Sequence, residues 1–132
     1  MTHPRILIAD DEEGIRESLN LILGDAYDLA FARDGEETLK AAEANQFALI
    51  LLDVKMPKLD GIEVLKRLKA ADNRTPVVVL TAYQSVELAQ EAVKLGALNY
   101  LPKPFEREQV LSAVRAVLMQ AGPRSQTGEV AH

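Results

Sequence analysis

The segment ALILLDVKMPKLDG, residues 48–61, opens with five apolar residues and then meets Asp53. A strand with no polar alternation is buried on both faces, and such strands belong to parallel sheets whose connections carry helices. ILIA (6–9) and PVVVL (76–80) have the same character. YDLAFA (27–32) carries a polar interruption and NYLPK (99–103) a proline, so each suits an edge of the sheet. Segments of helical period alternate with these strands. GIRESLNLIL (14–23) puts Ile15, Leu19, Ile22 and Leu23 on one face, with Gly24 able to cap its end. GEETLKAAEAN (35–45) follows the turn Arg33-Asp34-Gly35. GIEVLKRLKAA (61–71) stripes Ile62, Leu65 and Leu68, and Asp60 with Glu63 resembles a capping box. SVELAQEAVKLG (85–96) starts on a capping Ser85 and stops at Gly96, and EREQVLSAVRAVLMQ (106–120) packs through its valines and leucines. Five β-α units of similar length, without internal sequence repetition, predict an α/β sheet with right-handed crossovers and helices on both faces.

A length of 132 residues fits one domain, and an apolar content of 48% fits a packed core. The domain is expected over 4–120, with AGPRSQTGEVAH (121–132) as a flexible tail or linker. A net charge of −5 argues against nucleic-acid or anionic-membrane binding by this domain. There is no cysteine, hence no disulfide and no thiolate metal site. No apolar run reaches membrane-spanning length, and the opening MTHPR leads into a strand rather than a signal peptide. A soluble, cytoplasmic protein is expected.

In an open parallel sheet, ligands sit beyond the carboxyl ends of the strands. Those ends carry Asp10 and Asp11 after the first strand, Asp53 after the third, Thr81 after the fourth and Lys103 on the last. Taken singly, most have plain explanations. Asp11 could be only an N-cap, Glu12 and Glu13 suit the positive end of a helix, Asp53 before a proline-containing loop could be an ordinary turn residue, and Thr81 is a common strand residue. Asp60 and Ser85 read as caps, and His3 and His132 are terminal. Lys103 between two prolines is harder to dismiss, because an exposed lysine needs no rigid mounting. Together the residues make chemical sense. Three converging carboxylates repel one another unless a cation sits among them or some stay protonated. Oxygen ligands without His or Cys favour a hard ion, and a site with open positions suits Mg²⁺ better than zinc. A cation beside a lysine and a hydroxyl is an arrangement for a phosphoryl group, with Asp53 as the carboxylate nucleophile.

The acid pair DD (10–11), LLDVKMPKLDGIEVL (51–65), VVLTA (78–82) and YLPKPF (100–105) resemble, in order and separation, the receiver domain of bacterial two-component response regulators. The resemblance covers essentially residues 4–120. It implies a flavodoxin-like (βα)5 sandwich with strand order 2-1-3-4-5. It implies that Asp53 accepts a phosphoryl group from a sensor histidine kinase or a histidine phosphotransfer protein, without turnover of other substrates. It further implies that Asp10, Asp11, Asp53 and the Lys55 backbone carbonyl organise Mg²⁺. Thr81 and Lys103 would contact the phosphoryl oxygens, and Tyr100 would be the aromatic switch residue. The Lys103–Pro104 bond is expected to be cis. The fourth helix, fifth strand and fifth helix, roughly residues 85–120, would form the responsive face for an output domain, a target protein or a second copy of the chain.

Two other readings compete on the same fold class. A phosphatase of the haloacid-dehalogenase type also uses an aspartyl nucleophile with Mg²⁺, but needs a second acid two residues on, where this chain has Lys55. A dinucleotide or flavin binder needs a glycine-rich first turn, and here that turn is acidic. Lys55 and Tyr83 are expected to flank the approach of water to a phosphorylated Asp53 and so to set its lifetime.

Overall fold

The computed structural model describes residues 3–82 and 86–127. Five strands, β1 (Arg5–Ala9), β2 (Asp28–Ala32), β3 (Leu49–Asp53), β4 (Val77–Ala82) and β5 (Asn99–Lys103), alternate with five helices. The helices are α1 (Glu13–Leu23), α2 (Gly35–Ala44), α3 (Gly61–Ala70), α4 (Val86–Lys94) and α5 (Arg107–Thr127). All strand pairings are parallel, in the order β2-β1-β3-β4-β5, so the flavodoxin-like doubly wound sandwich expected from the sequence is the fold observed.

The apolar strands fall where their sequence demands. β3 is central and buried along its whole length, and β1 and β4 flank it. Successive side chains point to opposite faces, so each strand feeds two cores. Leu7, Ile50, Leu52 and Val79 pack beneath α2, α3 and α4, whereas Ile6, Ile8, Leu49, Leu51 and Val78 pack against α1 and α5. Burial of each such side chain contributes about 1.5–3 kcal/mol. Two complete layers can therefore hold unfavourable charge at the rim without losing the fold. β2 and β5 are the edges. Pro102 is tolerated in β5 because that strand pairs with β4 alone, leaving one side without a ladder.

Local signals account for several boundaries. Asp60 caps α3 by accepting from the Glu63 N–H at 2.9 Å, and Asp34 caps α2 by accepting from the Glu37 N–H at 2.8 Å. The cap position of α1 is Glu12 and no side chain caps it, so the capping role considered for Asp11 is not realised. The backbone of α5 is helical to Thr127, beyond the Gln120 end expected from the small and polar residues that follow. Ser85 and Tyr83 lie outside the described residues, as do 128–132 of the expected tail. No helix among the described residues is long and apolar enough to cross a membrane.

Candidate functional site

The parallel registers bring the polar strand ends to one rim. Asp53 pairs with Leu80 across β3 and β4, so Thr81 stands one residue further along the same edge, and Ala82 pairs with Lys103. Asp10 follows directly on β1, its N–H bonded to the carbonyl of Ala32 at 3.0 Å. Asp10, Asp53 and Thr81 are buried, and Asp11 is exposed. One carboxylate oxygen from each of Asp10, Asp11 and Asp53 lies within 4.8 Å of the others. Residues at or just beyond the ends of β1, β3, β4 and β5 thus surround one open depression of about 280 Å³, lined by Asp11, Glu12, Asp53, Lys55 and Lys103 among others.

Lys103 is the positive centre of this group. Its Nζ lies 2.8 Å from Asp10 Oδ2, 3.4 Å from Asp53 Oδ2 and 3.5 Å from Glu12 Oε1. Sequence reasoning assigned Glu12 only to the helix dipole; the fold also turns its carboxylate toward Lys103. The Lys103–Pro104 bond is cis, as the resemblance implied. Burial works against the Lys103 ammonium. Its contact with Asp10 and the charges of Asp53, Asp10 and Glu12 outweigh that effect and hold its pKa above the ordinary lysine value.

One ammonium does not balance the acids. Burial, then the charge of Asp10, pushes the Asp53 carboxyl up from 3.8 to about 7, against the opposing pull of Lys103 and of the Lys55 N–H. Asp10 is likewise raised, chiefly by burial. Asp10 Oδ1 accepts from the Glu12 N–H at 2.9 Å, and Arg16 donates to the Asp10 carbonyl at 2.8 Å. Asp10 Oδ2 is buried and has no hydrogen-bond partner. Lys103 Nζ, 2.8 Å away, pairs with it by charge. A buried carboxylate oxygen left so, within reach of two further carboxylates, fits a hard cation with oxygen ligands.

The loop from β3 to α3 closes the depression on one side. The Lys55 N–H donates to Asp53 Oδ1 at 3.2 Å, so the loop touches the central carboxylate directly. Gly61 ends it: its N–H donates to the Val54 carbonyl at 2.9 Å, and a Cβ there would stand 2.4 Å from the Asp53 carbonyl oxygen. Thr81 Oγ1 donates to the Ala82 carbonyl at 3.2 Å. Tyr100 is exposed on β5 and is not part of the depression. All the sequence-selected acids, Thr81 and Lys103 therefore meet at the rim; Tyr100 stands apart from them.

Known proteins share this fold and much of this sequence. A family model described as the response regulator receiver domain matches residues 6–115. The chain is 37% identical over 98% of its length to the transcriptional regulatory protein FixJ of Bradyrhizobium diazoefficiens, and 40% identical over 96% to the response regulator MprA of Mycolicibacterium vanbaalenii. It spans 64% and 55% of those two relatives, respectively. Full-length FixJ from B. japonicum superposes with a TM-score of 0.87 at 36% identity, over 96% of this chain and 63% of that one. The receiver domain of the Francisella response regulator 1452 superposes at 0.84 with 33% identity, over 90% of this chain and 99% of that one. A match that runs from β1 into α5, together with near-complete coverage of an isolated receiver, leads to one conclusion: this chain belongs to the response regulator receiver domains of two-component systems.

Proposed function

We propose that the chain takes a phosphoryl group onto Asp53 from a phosphohistidine on a partner kinase or phosphotransfer protein. The observation that carries this is the setting of the Asp53 carboxylate, which lies 3.4 Å from Lys103 Nζ and has an oxygen within 4.8 Å of oxygens of Asp10 and Asp11. An Asp53 oxygen attacks phosphorus, the P–N bond breaks, and the imidazole leaves with the electron pair and recovers a proton. Lys103 is held by Asp10 close to Asp53, where its charge neutralises oxygens of the incoming group. Thr81, buried beside it, offers a hydroxyl that can exchange its Ala82 carbonyl partner for a phosphoryl oxygen. Asp10, Asp11, Asp53 and the Lys55 carbonyl would hold Mg²⁺, which when bound supplies the positive charge that keeps Asp53 ionised and offsets charge on the phosphoryl oxygens. The reading is tested with acetyl phosphate and Mg²⁺, which should add one acid-stable, base-labile phosphate per chain. Absence of any such adduct by mass spectrometry would remove it.

A change of state must come from contacts that differ between the free and phosphorylated forms. Thr81 supplies one such contact, and Tyr100, exposed on the neighbouring strand, supplies an element able to turn inward when Thr81 moves. The affected face is that of α4, β5 and α5, which would meet an output domain, a target or a second copy of the chain. FixJ is named as a transcriptional regulator and is longer than this chain. An output of that type is the reading we favour for any longer protein that carries this domain.

The cation is expected to stabilise the fold, since it binds the assembled acids and not the unfolded chain. At ten times its dissociation constant the gain is about 1.4 kcal/mol. Asp11→Ala relieves repulsion in the metal-free protein and should abolish this gain. A rise in melting temperature with Mg²⁺ that persists undiminished in Asp11→Ala would show that the ion binds elsewhere.

A further inference from the structure

The loop between β3 and α3 is fastened at its neck and again at its tip, and the second fastening comes from the far edge of the sheet. At the neck, Val54 and Gly61 close on each other, with Asp53 directly beneath. At the tip, Lys58 has a φ of 69°, the left-handed region that a side-chain-bearing residue adopts only when something holds it there. The Leu59 N–H donates to the Pro57 carbonyl at 2.7 Å and closes a tight turn centred on Lys58, and the turn from β2 to α2 packs against it. Lys58 Nζ lies 3.5 Å from Asp34 Oδ2, and that carboxylate is itself only 12% exposed. Beside it, Gly35 lets the Leu59 backbone come so near that a Cβ on residue 35 would stand 2.1 Å from the Leu59 carbonyl oxygen and 2.5 Å from its Cβ. Leu59 also packs against the core under α2 and α3.

The turn is in turn fixed by bonds of its own. Asp34 Oδ1 caps α2 through Glu37 N–H, while Glu37 reaches back to the Arg33 N–H at 2.7 Å and to its guanidinium at 3.1 Å. Backbone donation from Glu37 and the charge of Lys58 hold the Asp34 carboxyl below the usual carboxylate range. The turn is thus built as a rigid anvil rather than a free connection. A cation site needs its ligands held in place by partners that do not themselves touch the ion. The loop that contains Lys55 has its far end clamped to residues that line no part of the depression.

We propose that Asp34 and Gly35, with Lys58 and Leu59 as their counterparts, are positioning residues for the cation-binding loop that carries Lys55. The proposal rests on the acceptor reading above and assigns the β2–α2 turn a part in it. Loosening the clamp lets the loop sample other shapes, so cation affinity falls while the reacting groups themselves stay intact.

The test compares wild type with Gly35→Ala, Lys58→Ala and Asp34→Asn, the last keeping the cap acceptor while removing the charge that pairs with Lys58. Mg²⁺ affinity is read from titrated NMR shifts, and phosphorylation by acetyl phosphate is measured at limiting and saturating Mg²⁺. The expected result is a dissociation constant raised about tenfold in Gly35→Ala and Lys58→Ala. Their phosphorylation should be slow at limiting Mg²⁺ and return to within about twofold of wild type at saturation. Folded variants with wild-type Mg²⁺ affinity, whatever their melting temperatures, would reduce the clamp to a purely structural contact and overturn the proposal. If Gly35→Ala does not fold, Lys58→Ala decides alone. A wild-type protein that binds no Mg²⁺ would remove the acceptor reading and this one with it; wild-type binding matched by the variants removes only this one.

Discussion

Asp53→Asn is expected to lower phosphoryl uptake from acetyl phosphate by about 10³ or more, some 4 kcal/mol of barrier. The amide is nearly the size and shape of the carboxylate, so the packing of β3 against β4 and the Lys55 N–H contact at that side chain survive. What goes is the charged oxygen that, on the proposed reading, attacks phosphorus. Mass spectrometry of the intact protein after timed exposure measures the loss. The fold is monitored in parallel by circular dichroism, so that a misfolded variant is not mistaken for an inert one. Stoichiometric labelling of Asp53→Asn at some other residue would sink the assignment of the nucleophile.

Without divalent metal, the wild-type protein should lose stability as pH rises from about 4 to about 7. Asp53 titrates near 3.8 in an unfolded chain and at about 7 in the folded one, so between those values the native state holds a proton that unfolding releases. Raising pH removes that proton and favours the unfolded state. A separation of roughly three pH units corresponds to about 4 kcal/mol once pH exceeds the folded value. Asp10, also raised, acts in the same direction. Lys103 does not contribute to the slope, since its elevated pKa matters only as pH climbs beyond the lysine range. Asp53→Asn should therefore be more stable than wild type at pH 8 by about 2–4 kcal/mol, the lower figure allowing for the lost contact with Lys103. At pH 4 the two should nearly coincide. Denaturant titrations with a chelator present provide the comparison, and an equal difference at both pH values would contradict the crowded-carboxylate account.

How far the sequence carries depends on the range over which each feature acts. The unbroken apolar runs of β1, β3 and β4 declare strands buried on both faces, and their final residues name the rim without further help. Asp10, Asp53, Thr81 and Lys103 could be found that way because strand ends are local and parallel registers align them. The cis bond before Pro104 came from family likeness alone. Interactions between distant turns were not legible. Nothing in Asp34-Gly35 or Lys58-Leu59 says that the two pairs meet, since that depends on the crossing of α2 over the sheet. The direction of Glu12 toward Lys103 was hidden for the same reason. The course of α5 to Thr127 was obscured by Gly122 and Pro123, whose ordinary preferences argue for a helix end.

The ends of β1, β3, β4 and β5 meet only when the last strand is seated at the edge of the sheet. Asp53 lies before the midpoint of the chain, yet the ammonium it faces belongs to residue 103. During synthesis the earlier strands emerge first, so a nascent chain exposes the aspartates well before it exposes their lysine. A ribosome-bound or misassembled copy therefore has Asp53 without its charge partner. On the acceptor reading proposed above, only a chain folded through its fifth strand would take up a phosphoryl group, and half-built copies would not drain the donor pool.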